Sequence, residues 1–346
     1  MNRLVFGADL GGTKGLLGLF EPGASRPVLQ IRYACADYDG FEPMLARFLD
    51  DAAGQLGAQA VRLQASCIGL AGPVAGSRAR MTNLPWTIDA AALRRRFALG
   101  PTRLVNDFVA AAAGVALLEP QEFRTLQEGQ PARDAPRVIL GPGTGLGAAT
   151  MFPVGGRWRI AGGEGGHLGV APRSELEVEL WRWLRGLHGG RVSAERVLCG
   201  PGLVSLYRFL LERDGASAAD ELLSATDPAA AISAAALVQG GAAQGRAGAA
   251  LDLFASMLGA FAGDLALFVL PRAGLYLAGG MAPRVMDARR TALFVEGFLD
   301  KGRHRALVAT LPLRLVGDPG LGLLGAGALA SGRAVVLGAA RTTRPR

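Results

Sequence analysis

The sequence predicts a two-domain α/β protein built on an internally duplicated plan. Its 346 residues are 50% hydrophobic, enough for two cores of ordinary domain size. Two strand, glycine-loop, strand segments of the same kind occur, one at the start of the chain and one from Arg137. Between them, buried-strand runs alternate with stretches of helical spacing, the order expected of an α/β protein.

The elements follow in order. "LVFGADL", the turn Gly11-Gly12-Thr13-Lys14 and "GLLGLF" read as a β-hairpin whose loop is rich in backbone donors. Met44, Leu45, Phe48 and Leu49 have the spacing of one helix face, and "ASCIGLAG" (65–72) reads as a buried strand. "MTNLPW" (81–86), the helix-like "AALRRRFAL" and the strand "TRLVND" come next, followed by an Ala-rich helix after Asp107. The Pro, Glu, Gln and Asp content of 119–136 marks a linker. "RVILGPGTGLGAATMF" (137–152) repeats the opening pattern. Beyond it lie the loop "AGGEGGHLGVAP", a helix carrying Trp181 and Trp183, "RVSAERVLCGPG", Ala-rich helical sequence to about Ala250, an apolar helix to Leu270, "GLYLAGGMAPR" and "LRLVGDPGLGLLGAGALA".

Composition excludes several classes. Net charge is +8, yet the only basic clusters are "LRRRF" (93–97) and the tail "RTTRPR" (341–346), and neither interleaves the aromatics of a base-stacking platform. No nucleic acid is therefore expected as a partner; the clusters read as a solvated helix face and a disordered tail. Cys35, Cys67 and Cys199 lie far apart with no Cys-x-x-Cys pair and only three histidines in the chain, which disfavours structural zinc and a disulfide framework. The N-terminus lacks the pattern of a signal peptide. Asp252 and Asp264 interrupt the one long apolar stretch, so a buried helix and no membrane span is expected. The expected protein is soluble and cytoplasmic.

Chemistry concentrates in three glycine-rich stretches and one dipeptide. In "GADLGGTKG", Asp9 ends a strand and Gly11, Gly12 and Thr13 can turn several N–H groups and a hydroxyl toward one anion. Asp9 can hold a hydrated Mg²⁺ that bridges phosphate oxygens. "GPGTGLG", with Gly143, Thr144 and Gly145, again follows a strand, and two such loops can clamp a polyphosphate. Neither has P-loop spacing or the context of a dinucleotide fingerprint. "AGGEGGHLG" presents Glu164 and His167 among glycines too dense for a stable helix, which suits a carboxylate and an imidazole facing sugar hydroxyls better than a metal pair. In "LVNDF", Asn106 and Asp107 stand where a core strand stops. Capping the following helix is one role for them.

The ordered set "DLGGT", "IGLAGPVAG", "MTNLPW", "LVNDF", "GPGTGLG", "GEGGH", "SAERVLCGPGLVSLY", "LAGGMAPR" and "DPGLGLLGAG" resembles the bacterial glucokinase family, the non-zinc branch of the actin-like sugar kinases, over nearly the whole chain. The resemblance implies a two-domain actin-like ATPase (ribonuclease H-like) sugar kinase fold, with 1–117 plus 318–346 as a small domain, 118–317 as a large one, and a cleft between. It implies ATP and Mg²⁺ as nucleotide and metal, glucose as substrate, and a homodimer. Asp107 matches the catalytic base, and Asn106, Glu164, His167 and Glu195 the residues that hold sugar hydroxyls. Asp9, Gly11, Gly12 and Thr13 match the first phosphate loop, Gly143, Thr144 and Gly145 the second, and Gly279 and Gly280 the adenosine-side loop. Read alone, Glu195 is a surface glutamate in a first helical turn that Ser193 could cap. Lys14 stands where many members have Asn, and Gly169 where an Asp commonly follows Gly-Gly-His. Three alternatives stay open: a kinase for mannose or an N-acetylated amino sugar, a non-catalytic sugar-responsive regulator, and an actin-like ATPase without a sugar.

Overall fold

The computed structural model describes residues 3–57, 62–216, 220–238, 245–332 and 335–337. By contacts the chain forms two compact units, Met1–Glu122 with Ala149–Gly162 and Asp318–Arg346, and Phe123–Ala148 with Gly163–Gly317. Residues 149–162, placed with the larger domain by the sequence, thus go with the first unit. The tail 341–346 lies outside the described residues.

The first unit opens with β1 (Leu4–Leu10), β2 (Lys14–Phe20), β3 (Leu29–Ala34), α1 (Phe41–Leu56) and β4 (Leu63–Leu70). A small three-stranded sheet follows, β5 (Val74–Ala75), β6 (Arg78–Arg80) and β7 (Thr87–Asp89), then α2 (Ala90–Phe97), β8 (Thr102–Asn106) and α3 (Asp107–Val115). The main sheet has the order β3-β2-β1-β4-β8. β1 and β2 form the expected antiparallel hairpin, while β4 runs parallel to β1 and β8 parallel to β4. Leu10 pairs with Leu70 and Leu70 with Asn106, so three parallel strands end level. The loops after Leu10, Leu70 and Asn106 therefore leave from one edge, the place where open α/β sheets bind ligands.

Strand alternation divides β1 between two faces. Leu4, Phe6, Ala8 and Leu10 join a core with Met44, Leu45 and Phe48 of α1, whereas Val5 packs on the other face. The "LRRRF" cluster sits at the end of α2 with Arg94, Arg95 and Arg96 exposed, as a solvated helix face should. Asp89 caps that helix by accepting from the N–H groups of Ala91 and Ala92.

The next strands are β9 (Phe123–Gln127), β10 (Arg137–Pro142), β11 (Leu146–Val154) and β12 (Arg157–Gly163). The supposed linker at 119–136 thus contains a strand, β9. Its polar composition misled because it is paired antiparallel only with β14 (Leu313–Val316) at a sheet end and keeps Arg124 and Thr125 exposed. In the second unit β10, β13 (Leu275–Leu277) and β14 are parallel neighbours, with Leu140 opposite Leu277. The helices are α4 (Glu175–His188), α5 (Gly200–Arg213), α6 (Pro228–Leu237), α7 (Gly245–Val269), α8 (Ala282–Val285), α9 (Ala288–Leu299) and α10 (Arg305–Ala309). α7 is long and apolar enough to cross a membrane, but most of it is buried inside the protein. Its two carboxylates are paired, Asp252 with Arg289 and Arg290 and Asp264 with Lys301, which is the signature of a core helix with a polar rim.

The chain then returns to the first unit with α11 (Leu321–Ala330), and β15 (Val335–Leu337) pairs parallel with β12. Every residue from Leu321 to Leu329 is buried. Leu323 and Leu324 cover Val5, Leu16 and Phe20, and α11 meets α3 at backbone contact, with a Cβ on Gly325 overlapping the carbonyl oxygen of Ala110. Gly325→Ala is expected to destabilise the unit by about 3 kcal/mol, the scale of core overpacking, read as a lower urea midpoint with unchanged m-value. A midpoint equal to the wild type would mean that the helices separate freely.

Candidate active site

In the first unit the level strand ends gather Asp9, the loop Gly11–Thr13, Asn106 and Asp107. Asn106 caps α3: its Oδ1 accepts from the Phe108 N–H at 2.9 Å, and its Nδ2 lies 3.5 Å from Gly72 O. The amide keeps a second N–H and a second lone pair for a ligand. The cap and a ligand role are thus compatible in one side chain. Asp107 begins the helix, where the end dipole favours negative charge, and its Oδ1 also accepts from the Phe108 N–H at 3.0 Å.

Asp9 points to the α11 face of the sheet, its carboxylate tight against Gly322. Burial, and next the Asp107 carboxylate, push its pKa up to about 7, against the pull of Lys14. Two carboxylates that repel in a partly dry site form a locus for a cation. Among the described residues no group of three or more His, Cys, Asp or Glu side chains could hold a metal ion. The fit is therefore to a hydrated ion that arrives with its own oxygen ligands, as Mg²⁺ does with phosphates.

The Gly11–Thr13 loop is held from outside. Gly11 N–H donates to Lys14 O at 3.0 Å, Cys35 N–H to Thr13 O at 2.9 Å, and the Cys35 thiol lies 3.6 Å from Gly11 O. Asn83 lies over Gly12, 3.0 Å from where a Cβ would stand. The Thr13 side of the loop is exposed. Cys35 and Asn83 were given no role from the sequence; the position of Asn83 inside "MTNLPW" was the one available signal.

In the second unit the loop Gly143–Gly145 leaves β10 and is closed by the Gly143 N–H donating to Gly145 O at 2.8 Å. Thr144 is exposed at its tip. Gly279 and Gly280 follow β13 beside it. Gly279 has φ +85° and a Cβ there would stand 2.6 Å from Pro142 O, so glycine is required by both conformation and space. The segment 163–169 packs on the start of β11, Gly165 against Ala148. Glu164 and His167 project from a single 3-10 turn, Gly165–His167, with His167 Nε2 3.9 Å from Glu164 Oε2 and both side chains largely exposed.

Glu195 corrects the reading of it as a surface glutamate. Ser193 stands at the cap position of a single 3-10 turn, Ala194–Arg196, but its side chain makes no cap bond. The Glu195 Oε2 instead accepts from the Leu146 N–H at 2.9 Å, at the shoulder of the second glycine loop. The Gly169–Ser193 bridge and the Ala194 N–H donating to Leu168 O at 2.8 Å bring this turn beside Glu164 and His167. Gly169 faces open space with room for a larger side chain.

The geometry is therefore two glycine loops, each closing a strand, with carboxylates beside them. A family model for glucokinase matches residues 6–333. A glucokinase of Nostoc punctiforme is 34% identical over 341 residues, covering 93% of this chain and 97% of the relative. Among solved structures, a glucokinase from an Antarctic psychrotroph superposes with TM-score 0.79 at 28% identity, covering 96% of this chain and all of that one. A ROK family glucokinase from Streptomyces griseus, in complex with glucose and AMPPNP, gives TM-score 0.61 at 23% identity over 94% and 99% of the two chains. The mixed α/β architecture is that of these actin-like kinases. With the family model running from β1 to the end of α11 and a third of the residues shared with a full-length relative, this chain belongs to the glucokinase family.

Proposed function

We propose that the protein transfers the γ-phosphoryl group of ATP to the 6-hydroxyl of D-glucose, giving glucose 6-phosphate and ADP. The observation that carries this reading is the pair Asn106-Asp107 at a rigid strand end, level with the glycine loop after β1 and adjacent in charge to Asp9, in a chain of the glucokinase family. Asp107 orients the 6-hydroxyl and takes its proton as the O–P bond forms, and a fixed carboxylate does so without reorganising. Asn106, Glu164, His167 and Glu195 hold the remaining sugar hydroxyls through groups that donate or accept as each hydroxyl needs.

Gly11, Gly12 and Thr13, and likewise Gly143, Thr144 and Gly145, bind phosphate oxygens through their amides and hydroxyls, and Gly279 and Gly280 take the adenosine part. Asp9 would hold Mg²⁺ through water, and the ion would neutralise charge on the transferring phosphate. The protein acts in the cytoplasm as a homodimer on this reading. The deciding experiment is ADP release with MgATP against glucose, mannose, fructose, N-acetylglucosamine and N-acetylmannosamine. Turnover greatest with glucose is the expected result; turnover only with another sugar would reassign the substrate, and none with any sugar would overturn the reading.

A further inference from the structure

The segment 194–200 grips the second glycine loop at both shoulders. The Gly200 N–H, at the start of α5, donates to Gly143 O at 2.8 Å, and the Leu146 N–H donates to Glu195 Oε2 at 2.9 Å. The Glu195 carboxylate lies so close over Gly145 that a Cβ there would overlap it. The gripping segment is itself tied down: the Cys199 thiol donates to Glu195 O at 2.8 Å and its sulfur accepts from the Gly202 N–H at 3.4 Å, capping α5. Glu195 Oε1 makes no hydrogen bond among the described residues.

We propose that Glu195 is a positioning residue for the Gly143–Gly145 loop, and that its carboxylate couples sugar binding to nucleotide binding. This rests on the reading above, in which that loop holds phosphate and Glu195 holds a sugar hydroxyl. A glycine-rich loop has many conformations to lose. A charge-assisted bond to the Leu146 N–H, roughly twice as strong as a neutral one, selects the conformation in which the loop amides face the phosphates. A sugar hydroxyl donating to Oε1 fixes the same side chain from its other oxygen, so the loop is ordered before the nucleotide arrives. By linkage, nucleotide then tightens sugar by the same factor.

The experiment is calorimetric titration of AMPPNP with Mg²⁺ into wild type, Glu195→Gln, Glu195→Ala and Gly145→Ala, without and with saturating glucose. Glutamine keeps a carbonyl oxygen for the Leu146 N–H; alanine does not. Without sugar, Glu195→Ala should weaken AMPPNP about tenfold, the scale of a lost hydrogen bond to a charged group, while Glu195→Gln stays within about threefold of wild type. Gly145→Ala, which displaces the carboxylate without removing it, should resemble Glu195→Ala. Glucose should tighten AMPPNP at least about fivefold in wild type and leave it unchanged in Glu195→Ala. A purely sugar-holding glutamate predicts wild-type AMPPNP affinity for both Glu195 variants without sugar, and that result overturns the role, as does a wild type indifferent to glucose. A wild type that binds no AMPPNP at all overturns the functional reading itself.

Discussion

Asp107→Asn is expected to lower kcat by about 10²–10⁴, the usual scale for losing a general base, with the KM for glucose changed little. Asparagine is isosteric, can still accept from the Phe108 N–H as Asp107 Oδ1 does, and leaves the Asn106 cap in place. The fold and the strand-end geometry should therefore survive. On the proposed mechanism, what is lost is an acceptor for the hydroxyl proton. A second consequence separates this from general damage: Asp107 is one of the groups that raise Asp9, so neutralising it should lower the pKa of Asp9 from about 7, visible in an NMR titration of the carboxyl carbon. Turnover equal to wild type would remove Asp107 from the chemistry.

Asp9→Asn should show opposed effects on activity and stability. The carboxylate ionises near 3.8 when unfolded and near 7 in the folded protein, so between those values the folded state keeps a proton that the unfolded chain sheds. The stability linked to Asp9 is complete below about 3.8 and is lost as pH rises through about 7. Asparagine never ionises. The ligand-free variant should therefore be more stable than wild type by ~2–4 kcal/mol at pH 8, and the advantage should shrink at pH 5. Turnover with MgATP should fall about a hundredfold on the proposed role of Asp9 toward the hydrated ion. Urea midpoints at the two pH values test the first half and initial rates over a MgATP range the second. A variant equally destabilised at both would show that Asp9 is structurally bonded rather than held there against its own burial.

The strand ends were the most legible part of this protein. Asp9 and Asp107 each close an apolar run, and a polar residue where a buried strand stops can be read from alternation and composition alone. The glycine loops were legible for the same reason. Glu195 was not: its context, a serine followed by mixed residues, looks like any helix start, and its value comes from the Leu146 N–H, 49 positions away. Cys35 is similar, a buried thiol whose partner is a loop carbonyl 24 residues earlier. β9 was missed because an edge strand keeps polar side chains that also suit a linker. Local patterns report on faces and turns, whereas bonds across long separations leave no periodicity to find.

The contact between α11 and α3 has a consequence for how the protein is made. The first unit cannot be completed from its first 122 residues, because the helix that covers Val5, Leu16 and Phe20 is encoded after the whole second unit. At 5–20 residues per second, the ribosome needs roughly 10–40 s to travel from Val115 to Leu321. Through that interval the nascent hairpin carries an uncovered apolar face, and the second unit is itself complete only at Gly317, just before that helix begins. The helix led by Asp107 thus waits for its partner until the second unit has been synthesised.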